Sequence, residues 1–137
     1  MGHWLFKEDP SHYSFDQLLR ERLTVWEGVS NNLALQHLRR VRKGDRAFCY
    51  HTGGEKAVVG VMRIVSNPYP DPGRGEPRWV VVEVEAERRL RRPVTLGEIK
   101  GHPELRRLDL VRLPRLSVMP IDEEAWATII GLSEKAG

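Results

Sequence analysis

The chain has 137 residues, 40% apolar and 30% charged, with a net charge of +3, a pI near 9.3 and one cysteine, Cys49. That length suits a single domain around one core, and the composition is ordinary for a globular protein. An internal disulfide and a cysteine-based zinc site are excluded, and no apolar run reaches the ~20 residues that span a bilayer.

The first ten residues lack the apolar stretch of a signal peptide. Met1-Gly2 opens as a myristoylation site does, but Phe6 stands where Ser or Thr is needed. A reducing, cytoplasmic setting without a membrane partner is expected. Residues 3–7, H-W-L-F-K, read as a short strand ended by Glu8-Asp9-Pro10. Ser14 with Gln17 three residues on has the pattern of a capping box, and Phe15, Leu18, Leu19 and Leu23 recur at helical spacing on a core face. Residues 24–29 are expected to be a loop that carries Trp26. Asn31 or Asn32 then caps a second helix over 32–41, with Leu35, Leu38 and Val41 inward. Trp26, a Gly28 that permits close approach and amide donors at a helix start are parts from which a site for a nucleobase can be built. Trp26 as a core plug and the two Asn as plain caps account for the same spacing.

From Lys43-Gly44-Asp45, a turn, the pattern changes to strands. They are placed at 46–51 and, after a glycine-rich hairpin over 52–56, at 57–65, where Gly60 suggests a bulge or a close backbone approach. A Pro/Gly-rich loop over 66–77 leads to the longest strand, 78–90, which alternates apolar and acidic residues in its second half. Thr95 and Glu98 form a capping box for a short helix over 95–100. Leu105, Leu108, Leu110 and Leu113 pack irregularly around His102-Pro103. Residues 115–119 make a closing strand, and Asp122 caps a last helix with Trp126, Ile129 and Ile130 inward. About five strands with three or four short helices in mixed order predict an α+β fold with a strongly bent or barrel-like sheet.

The basic residues are 17 Arg and 5 Lys. Arg39, Arg40, Arg42 and Lys43 close the second helix, where the macrodipole favours cations. Arg88, Arg89, Arg91 and Arg92 are expected to follow a strand, and Arg106, Arg107, Arg112 and Arg115 fall in the last third. Each group is either a solvated charged end or part of a phosphate-binding surface. The histidines, His3, His12, His37, His51 and His102, nowhere stand at the i,i+4 spacing of a helical metal site, so no metal and no cofactor is expected. No P-loop occurs, and Ser117 lacks the context of a nucleophile elbow. Tyr50-His51-Thr52 is open to two readings, acid–base chemistry or a polar strand end.

Seven stretches then fall into one order: W-L-F-K (4–7) with Pro10 and Tyr13-Ser14, W-E-G-V-S-N (26–31), G-D-R-A-F-C-Y-H (44–51), Y-P-D-P (69–72), P-R-W (77–79), P-V-T-L-G-E-I-K (93–100) and R-L-S-V-M-P (115–120). Together they resemble the EVE domain family, related to the PUA and YTH modules. The resemblance implies a single EVE domain over 1–137 with a PUA-like fold, a bent mixed sheet closing towards a barrel with peripheral helices. It also implies non-catalytic binding of a modified base in DNA or RNA, by a monomer. The family's pocket positions carry over to Lys7, Trp26, Gly28, Val29, Asn31, His51, Arg115 and Ser117, with Trp26 as one wall of an aromatic cage. The chain departs from the family at Ser30, where Arg is common, at Thr52, where Ser is common, at Met119, where a polar residue is frequent, and in its short 69–78 loop. One large ring among small neighbours, Gly28, Val29 and Ser117, suits a single-ring base. Asn31 can meet the amide-like edge of cytosine, so a 5-substituted cytosine is the expected ligand. The rival reading is a metal-independent nuclease or hydrolase, as in the similar ASCH domains, with His51, Lys7 and Arg115 catalytic. A third is a protein-interaction module.

Overall fold

The computed structural model describes residues 2–135; Met1, where the myristoylation reading begins, lies outside them. One sheet runs through the molecule. Its strands are β1 (His3–Glu8), β2 (Leu23–Trp26), β3 (Arg46–His51), β4 (Ala57–Ile64), β5 (Tyr69–Pro70), β6 (Val80–Thr95) and β7 (Val118–Pro120). The order is β2-β6-β4-β3-β1-β7, with β5 added on β6, and only β1 and β3 run parallel. The helices are α1 (Phe15–Glu21), α2 (Asn32–Leu38), α3 (Leu96–Lys100), α4 (Asp109–Arg112) and α5 (Glu123–Glu134), with a 3₁₀ turn at Pro103–Leu105. This is the mixed α+β fold that the pattern predicts, with seven strands in place of about five. The two that periodicity missed, β2 and β5, are four and two residues long, too short to show a period. Among the described residues no helix is long and apolar enough to cross a membrane.

The sheet is rolled. β1 and β2 stand four strands apart in its order, which in a flat sheet means roughly 19 Å at ~4.8 Å per strand. Yet the rings of Phe6 on β1 and Trp26 on β2 have centroids 5.5 Å apart. Bulges supply the curvature: Val59 on β4 is the extra residue opposite Cys49/Tyr50, the β6 register shifts across Val58/Gly60, and Glu87 on β6 is the extra residue opposite Val61/Met62. Across the second, the partner on β6 jumps from Val94 to Arg89. Pro93 lies within that jump, where its missing N–H breaks no ladder bond.

Gly60 fulfils both of its readings. It sits at a bulge, and a Cβ there would overlap the Phe15 ring. Phe15 opens α1 and docks that helix on the sheet, while the Ser14 hydroxyl accepts from the Gln17 amide at 3.1 Å. The capping box stays incomplete, because the Gln17 side chain turns to Glu21. Phe15 and Leu18 are buried as expected, but Leu23 is 49% exposed. Arg22, at φ +73°, ends the helix and breaks its period, so Leu23 belongs to β2.

Asn31 caps α2 and Asp122 caps α5, each accepting from a backbone amide three residues on. Thr95 and Glu98 form the full capping box of α3. Val41, expected within the second helix, is buried beyond its end. Trp126 of α5 stacks on Phe48 at 3.7 Å and 11°, which fixes α5 against β3. The Asp45 carboxylate is 6% exposed and accepts from Trp4 Nε1 at 2.9 Å, Gly2 N at 2.8 Å and Arg42 N at 2.9 Å. Cys49 is buried in β3, and that burial pushes its thiol far above the ordinary range. The arginines from 88 to 92 lie inside β6, not after it, and are largely committed. Arg89 pairs with Asp16, Arg92 forks onto Glu98 at 2.8 Å, and Arg91 and Arg92 donate to the carbonyls of Glu134 and Lys135.

Two expected outcomes follow from this packing. In Gly60→Ala the added methyl is forced against Phe15, and overpacking of this kind costs ~1–3 kcal/mol. The urea midpoint should fall, and a Gly60→Ala/Phe15→Leu double variant should lose less than the sum of the singles. His37 on α2 has both ring nitrogens buried without a partner, and burial holds its pKa below the ordinary value against the opposing pull of Asp109. The unfolded chain therefore binds the proton more readily, so stability is complete above ~6.5 and falls as the pH drops below that. Denaturation at a series of pH values should show this loss in the wild type and a shallower one in His37→Phe. An identical slope would assign the loss to other groups.

Candidate functional site

Three hollows surround the C-terminal ends of β1 and β2 and the segment that follows α4. The first, of about 70 Å³, is lined by Glu8, His12, Tyr13 and residues 24–27. The second, of about 340 Å³, lies between the start of α2 and residues 112–116, lined by Asn31, Leu33, Leu113, Pro114 and the two arginines Arg112 and Arg115. The third, of about 270 Å³, contains Lys7, Tyr50 and Thr52 and shares Pro114 with the second.

The residues expected at the site are distributed among these hollows. Trp26 is on a strand, not in a loop. It is 5% exposed, its ring packs on Phe6, and it closes the first hollow with Tyr13. It is thus core and wall together. The Tyr13 hydroxyl donates to Glu21 at 2.7 Å, and burial raises its pKa. That cleft is well below the ~300–1,000 Å³ usual for a small-molecule site. Gly28 has φ +82° and nothing near its Cα that a side chain would strike, so its need is for the left-handed turn and not for close approach. The Val29 carbonyl accepts from Arg74 at 3.2 Å, and the amides of Gly28, Val29 and Ser30 donate to no protein group among the described residues. Asn31 spends its oxygen on the Ala34 amide, which leaves its side-chain NH₂ for the second hollow. Arg115 lines that hollow and forms no ion pair among the described residues. Ser117 precedes β7, which begins only at Val118, and its carbonyl accepts from the Lys7 amide at 2.9 Å. Lys7 Nζ donates to the Pro114 carbonyl at 2.8 Å, and burial lowers its pKa.

His51 is the last residue of β3, the polar strand end of the second reading. It is 7% exposed. Its Nε2 accepts from the Phe15 amide at 3.0 Å, and its Nδ1 faces Glu55 Oε1 at 2.7 Å. That network assigns the proton to Nδ1 and leaves neither nitrogen for a ligand or for proton transfer.

Sequence reasoning missed a basic edge beside the loop. Arg74 and Arg78 lie over the Trp79 ring at 3.6 and 4.2 Å, and reach Ser30 and Asn32 respectively. The prolines and glycines around them were legible as a loop, but not the direction of the turn. The guanidinium of Arg74 donates to the Ser30 hydroxyl at 3.2 Å.

A rolled mixed sheet with short helices at its rim and hollows at its split edge defines a PUA-like α+β module. The family model described as EVE domain matches residues 2–132, and the chain belongs to the EVE domain family. It is 29% identical over 168 residues to human thymocyte nuclear protein 1, covering 98% of this chain and 75% of that one. Among solved structures it is similar to Rpa0253 from Rhodopseudomonas palustris, at 36% identity and TM-score 0.93 over 97% of this chain and 93% of that one. It is also similar to human THYN1 in complex with 5-methylcytosine containing DNA, at 27% identity and TM-score 0.91 over 100% of both chains. ASCH from Zymomonas mobilis, at 11% identity and TM-score 0.59 over 96% of this chain and 95% of that one, shares the fold.

The position of Trp26 changes the expected result of its removal. A solvent-facing wall would cost little, but a ring packed on Phe6 in the core costs ~3–5 kcal/mol when truncated to alanine. Trp26→Ala should therefore lose most of the protein's stability in urea denaturation, and Trp26→Phe should keep most of it.

Proposed function

We propose that the protein is a non-catalytic reader of a modified base, a 5-substituted cytosine foremost, in DNA or RNA. The observation that supports it most is the likeness over the full length of both chains to human THYN1, solved with DNA containing 5-methylcytosine. In this reading the base leaves its stack and enters the 340 Å³ hollow at the start of α2, the one of the three with both room and a largely apolar lining. The Asn31 NH₂ and the open amides of the 28–30 loop read the polar edge. Arg115 and Arg112 meet a phosphate or an oxidised substituent. Trp26, packed on Phe6, supports the loop from behind. Arg74 and Arg78 carry the strand past the loop. Lys7 and Ser117 fix β1 to the segment that forms the far wall. His51 supports the fold in this reading, with its ring nitrogens engaged by Phe15 N and Glu55.

One methyl buried in an apolar recess is worth about 0.8 kcal/mol, so methylcytosine should bind about 3–10-fold tighter than cytosine. Oxidised cytosine should gain more if Arg115 reaches the added oxygen. Titration of oligonucleotides carrying cytosine, methylcytosine, oxidised cytosine and methyladenine at two salt concentrations decides it. Affinity should fall with salt while the ratios stay flat. Equal affinity for all four would reduce the protein to an electrostatic binder, and a win for methyladenine would replace the ligand. Arg115→Ala should weaken every oligonucleotide.

A further inference from the structure

The third hollow is more than a neighbour of the reader site. It is lined by Lys7 from β1, Lys56 from the β3–β4 hairpin and Lys100 from the end of α3, three of the chain's five lysines, and by no acidic residue. We propose that this hollow is a phosphate site, with Lys7, Lys56 and Lys100 as the cations and the hydroxyls of Tyr50 and Thr52 as further donors. The proposal rests on the nucleic-acid reading above only for the source of the phosphate.

Three observations carry it. The first is chemical. The cations come from three separate elements and line one space of about 270 Å³. A tetrahedral anion is met in this way, whereas a planar carboxylate is met by a fork. One Lys7 N–H goes to Pro114 O, which leaves two. The Tyr50 and Thr52 hydroxyls bond no other side chain or carbonyl among the described residues.

The second is conformational. Lys56 has φ +45°, one of two non-glycine residues in the left-handed region. Side chains rarely adopt that region, and residues held there cluster at binding sites. Glycines stand two and three residues before it, so a hairpin served only by geometry would carry glycine here as well. Its carbonyl accepts from Leu96 N at 2.8 Å, which ties the hairpin to the start of α3.

The third is electrostatic. Glu55, beside Lys56 in sequence, would cancel one cation, but it is turned to His51 Nδ1 at 2.7 Å. Glu8, beside Lys7, is likewise engaged, with Asp9 N at 2.9 Å and His12. Burial of Lys7 in this hollow, which depresses its pKa, is relieved by an anion.

The test uses the full chain and the variants Lys56→Gly and Lys100→Gln, with Lys43→Ala as a control. Glycine accepts the positive φ, so Lys56→Gly should melt at the same temperature or higher. Inorganic phosphate at constant ionic strength should raise the melting temperature of the wild type and of Lys43→Ala, and have less effect on the other two. Matched methylcytosine oligonucleotides with and without a 5′-phosphate then name the source. If the site takes a terminal phosphate, the 5′-phosphate should add about tenfold to wild-type affinity and nothing to Lys56→Gly. If it takes a bridging phosphodiester, both oligonucleotides should weaken about tenfold in Lys56→Gly, with the salt slope reduced by about one. The proposal is overturned if both variants respond to phosphate and bind both oligonucleotides with the wild-type affinity and salt slope. Loss of the preference for methylcytosine over cytosine would strike the reader proposal alone, because the phosphate effects are read without it.

Discussion

The contact between Phe6 and Trp26 is the constraint on which the rest of the molecule depends. It joins strands that the sheet order separates by β3, β4 and β6. Without it β2 would be a free edge of four residues, and short isolated edges contribute little on their own. With it, the sheet curls and buries Phe6 against Trp26, while Leu5 and Phe48, on the other face, are covered as fully. The bulges on β4 and β6 make the roll possible, and the absent side chain at Gly60 leaves room for Phe15 of α1. Curvature, helix docking and the cleft at the split edge are therefore one arrangement.

Charge is distributed with the same economy. Arg89, Arg91 and Arg92 bind Asp16, Glu98 and the carbonyls at the end of α5, so they fasten the perimeter. Arg107 does the same at Asp122, and Arg46 and Arg63 meet Glu85 and Glu87 across the sheet. Around the hollows, Arg112 and Arg115 line one, Lys7, Lys56 and Lys100 line the next, and Arg74 and Arg78 flank the loop through Ser30 and Asn32.

Much of the fold was legible. The strand over 46–51 and the caps at Ser14, Asn31, Thr95 and Asp122 appear where local chemistry puts them. Local rules suffice there because a cap or a long alternating run is decided within a few residues. They fail where a distant partner decides. Leu23 has a helical interval behind it, but Arg22 in the left-handed region ends that helix and β6 recruits the residue. Trp26 reads as a loop residue until pairing with Val82 makes it a strand. β6 passes through Pro93 because its partner register jumps at that point. The candidate site was legible in its residue types and only partly in its geometry. Asn31 and Arg115 share a hollow, Lys7 lies in the next one, and Trp26 faces a third. Lys56 and Lys100 carried no signal, since a backbone angle and a meeting of segments 7, 56 and 100 do not exist in one dimension.

His51 shows how far fold and site are shared. As a loose polar residue at a strand end it would have served recognition or catalysis. The structure gives its Nε2 to the first amide of α1 and its Nδ1–H to Glu55. The first bond replaces a donor that a helix start otherwise leaves unsatisfied, and so places Phe15 over Gly60. The second removes a carboxylate from the rim of the lysine-lined hollow. A neutral imidazole in one tautomer can do both at once. A doubly protonated ring would present an N–H to the N–H of Phe15, and a ring with the proton on Nε2 would do the same while releasing Glu55. The dock of α1 and the electrostatic character of the hollow therefore hang on a single proton position, held by a residue that is nearly buried.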